Sequence, residues 1–160
     1  MAIPEMTGPI GANANLTHTA VLTGGGRADG KDGSEWVYVH ADGAIVAYDV
    51  VLIHETWEAD QLDLTNSGSA FGQKVGVAAV AFADNAYGWV QVNGVCDNIG
   101  AAASCAANVS VHSTAGAGLI DDAGTVGAET INGLALTTAE TGSAGSAPGI
   151  LSHPTVGVTL

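Results

Sequence analysis

The chain has 160 residues, of which 16 are Asp or Glu and only 3 are Lys or Arg, so its formal net charge is -13 at pH 7. Lys and Arg neutralise phosphates in nucleic-acid complexes and at anionic membranes, so this composition argues against both partners. A chain of this length fits one domain with a substantial core.

Residues 1–33 are expected to form an extended N-terminal arm ahead of a single β domain over residues 34–160. Apolar residues in the arm are isolated among Pro, Asn and Gly, which is too sparse for a separate core. Candidate contacts with another protein are Ile3, Pro4, Ile10 and Leu16. A floppy terminus is the alternative interpretation, because termini are commonly disordered. We recognise no secretory leader or membrane-spanning run and expect a protein made in the cytoplasm.

Strand-like segments follow at short intervals. Alternating residues predict a strand over 35–40, and Ala41-Asp42-Gly43 predicts a turn into a partner strand over 44–54. Residues 55–66 are acidic and fit one short helical turn. Residues 75–94 have the pattern of an antiparallel hairpin around a break at 84–86. In this hairpin Val90 and Val92 are predicted to face inward and Trp89 and Gln91 outward.

The second half of the chain continues the β pattern. It predicts a loop carrying both cysteines, strands over 107–113 and 119–120, and a strand over 130–137 with Gly133 as a bulge. A loop over 141–149 and two closing strands, 150–153 and 155–160, complete the prediction. Because no helix pattern exceeds about two turns, we expect an all-β fold of antiparallel strands.

Motifs for catalysis are not recognised in the sequence. The Gly/Ser segments lack the Gly-x-Ser-x-Gly spacing of a nucleophile elbow, and the Gly24-Gly25-Gly26 triplet lacks the Gly-Lys-Ser/Thr end that cradles phosphate. The five histidines are scattered, without the His-x-x-x-His spacing of a metal site. We therefore expect no enzyme, no cofactor and no metal ion.

Two kinds of residue leave alternatives open. Cys96 and Cys105 are nine positions apart, which allows either a small disulfide-closed loop or two reduced thiols. Trp36, Trp57 and Trp89 are candidate interface residues, because aromatic side chains anchor many interfaces. Trp36 and Trp89 share a face with polar residues and are predicted to be half-exposed. An ordinary position at the edge of the core is the alternative for each.

Several segments resemble the capsid decoration proteins (cement or head-stabilising proteins) of tailed bacteriophages. They are EWVYVHADGAIVAYDVV at 35–51, YGWVQVNG at 87–94, SCAANVSVHSTAGAGLIDDAGT at 104–125, INGLALTTA at 131–139 and LSHP at 151–154. The resemblance implies a small β-barrel or β-tulip-like subunit that forms a homotrimer on the capsid exterior. Its partners would be the major capsid protein and further copies of itself, with the arm contacting neighbouring subunits. The family offers no catalytic or ligand residue to transfer.

Two other functions remain as alternatives. The first is another virion component, such as a fibre, a head knob or a minor capsid protein. The second is a carbohydrate-binding adhesive β-module in which Trp36, Trp57 and Trp89 stack on sugars. For the decoration protein, the expected location is the virion exterior after assembly in the host cytoplasm.

Overall fold

The computed structural model describes residues 6–7 and 24–160. These residues form eleven β-strands and one short helix, α1 (Leu64–Ser67). The strands are β1 (Met6–Thr7), β2 (Arg27–Gly30), β3 (Glu35–Ala41), β4 (Val50–Ile53), β5 (Glu58–Gln61), β6 (Lys74–Ala78), β7 (Tyr87–Ala101), β8 (His112–Ser113), β9 (Ile120–Asp121), β10 (Glu129–Leu136) and β11 (Gly145–Thr159).

All eleven strands belong to one mainly antiparallel sheet, which confirms the predicted all-β class. Among the described strands, β3 with β5 and β7 with β9 are the parallel pairings. The long strand β7 pairs with β3, β6, β9 and β11, so the pairings return on themselves in two circuits. One circuit runs through β3, β5, β4, β6 and β7, and the other runs through β7, β11, β10, β8 and β9.

A separate group of buried apolar side chains is associated with each circuit. The first group includes Val37, Val39, Val51, Ile53, Phe82 and Val90. The second group includes Ile99, Ile120, Ile131, Leu134, Leu136 and Leu151. Fully burying a side chain of this size contributes about 1.5–3 kcal/mol, so both groups stabilise the sheet. Strand β7 supplies residues to each group and thereby joins the two halves of the molecule.

The predicted hairpin over 75–94 is present, but its faces and its turn differ from the prediction. Val77 of β6 pairs with Gln91 of β7, as the hairpin pattern requires. Strand β6 ends at Ala78, however, and residues 79–86 form a longer connection that is bridged from Phe82 to Ile45. Trp89 and Gln91 are buried, so the prediction that they face outward is wrong. The reason is a third apolar cluster, on the opposite side of β3 and β7, that contains Trp89.

Other predicted boundaries of strands and loops were wrong, because pairing with distant strands overrides what the local composition indicates. The hairpin of 35–40 with 44–54 does not form, because β4 starts only at Val50 and pairs with β5 and β6. The predicted cysteine loop and the predicted loop at 141–149 are largely strand, as β7 extends to Ala101 and β11 begins at Gly145. These strands pair with each other, and that pairing overrides the weak strand propensity of Gly, Ser and Asp.

Two further predictions are clarified by the structure. The strand over 130–137 is confirmed as β10, and its register shifts between Asn132 and Leu134, where Gly133 has a φ of 75°. This is the expected glycine bulge. Strand β2 lies within the predicted arm yet pairs with β3 and buries Ala28, so this part of residues 1–33 belongs to the sheet. Over the described residues, no helix is long and apolar enough to cross a membrane.

Candidate interaction surfaces

Two of the three tryptophans are internal residues. Trp36 is 2% exposed and Trp89 is 0% exposed, so the predicted half-exposed positions are wrong for both. The Trp36 indole N–H donates a hydrogen bond of 2.8 Å to the Ser34 hydroxyl. Trp89 pairs across the strands with Tyr38, and their ring centroids are 5.1 Å apart. Both indoles therefore stabilise the sheet from within.

Trp57 is half-buried, and its ring is engaged by neighbours within the chain. The backbone of Gly24 and Gly25 lies directly on the ring, where a Cβ atom at Gly25 would be 2.4 Å from Cε2. The Lys74 Nζ atom is 5.0 Å from the ring centroid, which is the geometry of a cation–π contact. The remaining interface candidates, Ile3, Pro4, Ile10 and Leu16, lie outside the described residues.

Both cysteines are free, buried thiols in the same core cluster. Burial raises the pKa of Cys96 to about 11 and the pKa of Cys105 to about 11. The donor atoms of Cys105, Asp121 and Asp122 lie within 4.8 Å of one another. A metal ion bound there would have to displace the proton of the Cys105 thiol, because metals bind the thiolate.

A small cavity opens between the β2–β3 hairpin and the adjoining ends of β6 and β11. We call it the mouth. Its volume is about 120 Å³, and its apolar wall includes Val37, Val75 and Val92. Charged and titratable groups also line it: Arg27 and Asp29 from β2, Glu35 from β3, Lys74 from β6 and His153 from β11. Arg27 pairs with Val37 and Asp29 pairs with Glu35 across the hairpin, which places these four side chains on one face.

The mouth holds most of the positively charged side chains of this acidic chain. Two of the three Lys and Arg residues line it, and the third, Lys31, is in the adjoining β2–β3 turn. The Glu35 carboxylate is 3.5 Å from His153 Nε2 and accepts a hydrogen bond of 3.2 Å from the Asn93 amide. Among the described residues, neither Arg27 nor Lys74 has a carboxylate within 4.0 Å. The mouth therefore holds two cations whose charge is not neutralised by direct contact with a described carboxylate.

The same turn fixes the position of Asp32. Burial acts to raise the pKa of Asp32, but hydrogen bonds from the Ser34 hydroxyl and backbone N–H outweigh it, so the pKa lies below 3.8. Those bonds are 2.7 Å and 3.0 Å long. They hold the turn between β2 and β3 and thereby the spacing of the charged residues on its two strands.

A second surface lies on the outer side of β7, β11 and β10. Val95 pairs with Ile150, and Ile150 pairs with Ala135, so the three side chains form one row across three strands. We call Val95, Ile150 and Ala135 the apolar row. Val95 is 66% exposed and Ile150 is 48% exposed. Neighbouring Asn93 and Ser152 are uncharged. Asp97, two residues after Val95 on β7, is exposed on the same side of the sheet. The apolar row is therefore a short apolar strip beside one carboxylate, and it offers apolar area for contact with protein.

Comparison with protein-family models gives no match, and neither curated proteins nor solved structures match significantly.

The sequence contained signals for both surfaces that the strand predictions did not use. The rarity of Lys and Arg marked Arg27 and Lys74, but their proximity depends on the pairing of strands distant in sequence. Val95 was placed in the predicted cysteine loop, and Ile150 at the start of a predicted strand that follows a loop. Their alternation with buried Cys96 and Leu151 was the available signal for an exposed face.

Proposed function

We propose that this chain is a virion structural protein that decorates and stabilises the exterior of a phage capsid shell as a homotrimer. The observation that supports this best is the apolar row, whose three side chains carry no charge in a chain of net charge -13. The sequence resemblance to capsid decoration proteins is the reason why we propose a phage capsid as the assembly. In this proposal the all-β sheet is the rigid scaffold that presents the contact surfaces.

A decoration protein works by thermodynamic linkage. A protein that binds only the assembled shell stabilises it by RT ln(1 + [L]/Kd), where L is the free decoration protein. This function needs contact area in place of an active site. A strongly negative chain is repelled by packaged nucleic acid, which favours the outer surface of the shell over the inner one.

Copies of this chain repel one another wherever their acidic surfaces meet. Contact through the apolar row lessens this repulsion, because its three residues carry no charge and Asp97 is the charged neighbour on the same face of β7. Full burial of a Val or Ile side chain contributes about 1.5–3 kcal/mol. Scaled by the exposed fractions of Val95 and Ile150, burial of both contributes about 2–3 kcal/mol per copy. We therefore assign the contacts within the trimer to this row.

Two measurements test the proposal. Shells assembled with this protein should withstand higher temperature than shells without it, and the protein should remain bound through sedimentation. If the protein does not bind shells, or binds without raising their thermal stability, the decoration function is refuted. Elongated particles in electron micrographs of the purified protein would instead support a fibre.

The trimer contact is tested by sedimentation equilibrium of the double variant V95T/I150T. We expect it to dissociate at concentrations about tenfold or more above those at which the wild-type protein dissociates, since about 1.4 kcal/mol corresponds to a factor of ten. V126T is the matched control, because Val126 is 97% exposed in the turn before β10 and lies outside the row. Equal dissociation of both variants would remove the apolar row from the interface.

The carbohydrate-binding alternative depended on exposed tryptophan faces. Trp36 and Trp89 are buried, and the Trp57 ring already contacts Gly25 and Lys74. Sugar stacking on Trp36 or Trp89 would require the sheet to open, whereas stacking on Trp57 would compete with its contacts to Gly25 and Lys74. The structure therefore favours assembly over glycan binding, and a glycan array provides the direct check.

A further inference from the structure

We propose that the mouth binds a segment of a partner protein that inserts an aliphatic side chain into the cavity and places a carboxylate against Arg27 and Lys74. The apolar wall and the two cations are separate features of the cavity, and each specifies one part of this ligand. That the partner is the capsid shell rests on the proposed function. The chemistry of the ligand rests on the cavity alone.

The size and wall of the cavity specify the inserted group. A volume of about 120 Å³ is slightly below the ~150 Å³ of an apolar cavity that accepts benzene, so a butyl-sized group fits. Val37, Val75 and Val92 provide the apolar contacts. Pro154, whose ring carries no side-chain donor or acceptor, adds to the same wall. A Leu, Ile or Val side chain therefore suits this site better than a polar side chain does.

The charges specify the second part of the ligand. Among the described residues, the carboxylate groups lie beyond 4.0 Å from Arg27 and Lys74, and Glu35 already contacts His153 and Asn93. Arg27 is exposed and can present two parallel N–H donors to one carboxylate. Lys74 keeps its charge while it lies over Trp57, since a cation–π contact does not neutralise an ammonium group.

A carboxylate fits these cations better than a phosphate polymer does. Nucleic acids and anionic lipid surfaces are bound by arrays of cations, whereas this chain has three in all against 16 acidic residues. One carboxylate needs only the local pair, and its single charge limits repulsion by the rest of the chain. The bound segment is thus expected to be a peptide with an aliphatic residue beside Asp, Glu or its own C-terminal carboxylate.

The ligand chemistry is tested with N-acetyl-leucine, which combines an isobutyl group and a carboxylate. Titration into the ¹⁵N-labelled full chain should shift the backbone amide resonances of Val37, Val75 and Val92. N-acetyl-leucinamide lacks the carboxylate, and N-acetylglycine lacks the isobutyl group. We expect each of these two compounds to bind about tenfold more weakly than N-acetyl-leucine, because each lacks either the charged or the apolar contact. Equal binding of N-acetyl-leucine and either control, or no shifts at these residues, would overturn the proposal.

Variants of equal net charge locate the carboxylate. R27Q and K74Q should each weaken N-acetyl-leucine binding several-fold. K31Q should leave binding unchanged, because Lys31 lies in the β2–β3 turn and is not among the described residues that line the cavity. V92F fills the cavity and should abolish binding, with a thermal unfolding scan confirming that the variant is folded. Weakening by K31Q as strong as that by R27Q would show a general charge effect and contradict the assigned site.

Shell binding by the same variants separates this inference from the proposed function. If R27Q and V92F lose both N-acetyl-leucine and shells, the mouth is the anchor for the shell. If the wild-type protein binds shells but not N-acetyl-leucine, the mouth proposal is wrong and the decoration function stands. If it binds N-acetyl-leucine but not shells, the decoration function is wrong and the mouth has another protein partner.

Discussion

Gly25 is a position where the structure predicts a large effect of adding one methyl group. It has a φ of 87°, in the left-handed region, and its backbone N–H donates to the Tyr38 carbonyl at 2.8 Å. A Cβ atom there would be 2.4 Å from Cε2 of Trp57 and 2.7 Å from Nε1. The Gly25→Ala variant therefore introduces both backbone strain and a collision with an aromatic ring that Lys74 also contacts.

The two effects have separable magnitudes. A left-handed conformation costs a residue with a Cβ atom about 1–2 kcal/mol. Overpacking of this kind typically costs a further ~1–3 kcal/mol, because the Trp57 ring must move by about 1 Å. We expect Gly25→Ala to reduce the free energy of unfolding by about 3 kcal/mol. In a domain of 150–250 residues this corresponds to a fall in Tm of about 6–12 °C.

Gly33→Ala is the matched control for the strain. Gly33 has a φ of 85°, but a Cβ atom there would meet nothing within 4 Å. This variant should lose only the strain component, about 1–2 kcal/mol. Urea unfolding of both variants gives the difference, and Trp57→Ala in the Gly25→Ala background should recover the part due to collision. If the two glycine variants were equally destabilised, the packing of the Gly24–Gly25 backbone on Trp57 would be refuted.

Two further predictions concern buried titratable groups. Burial raises the pKa of Asp49 above 3.8, despite hydrogen bonds from Val46 and Gln61, so the native state binds this proton more tightly than the unfolded state does. Its contribution to the free energy of unfolding is full below pH 3.8 and declines as the pH rises through the native pKa. Asp49→Asn should remove that decline from urea unfolding measured at pH values above 3.8, and an unchanged profile would contradict the assignment. Because the pKa values of Cys96 and Cys105 are about 11, both thiols should resist Ellman's reagent in the native protein and react fully in urea without reductant. A native protein that reacts, or an unfolded one that does not, would show an exposed thiol or a disulfide respectively.

Alternation of side chains was sufficient to predict those strands that have one apolar face or a clear glycine bulge. Strand β10 is the best example, because its alternating apolar residues and Gly133 appear in the sequence as they do in the sheet. The pairing of β6 with β7 was also predictable from two adjacent apolar runs. These features depend on residues close in sequence.

Strands that are buried on both faces, or that owe their pairing to distant segments, were not predictable in the same way. The outward placement of Trp89 and Gln91 followed from the polar partners on that face, yet an aromatic cluster covers it. The extension of β7 through Cys96 depends on β11, which begins 44 residues after β7 ends. Glycine, alanine and serine carry little strand propensity, so the pairing partner decides the structure there.

The mouth was not predictable either, because it too forms between segments that are distant in sequence. Arg27 and Lys74 line the mouth together with Asp29 and Glu35, and Lys31 and Asp32 lie in the adjoining turn. Glu55 lines a neighbouring pocket with Lys74. The region at and beside the mouth thus holds every Lys and Arg of the chain and is less negative than the rest, which holds acidic residues and no Lys or Arg. An acidic partner meets less repulsion there than at the parts of the surface without Lys or Arg, and a second copy that docks at the apolar row contacts three uncharged side chains. Salt should act oppositely on the two contacts, since screening weakens the attraction of a carboxylate to Arg27 and Lys74 but relieves the repulsion between copies. Opposite salt dependences for N-acetyl-leucine binding and for self-association would therefore show that the two surfaces work by different physical principles.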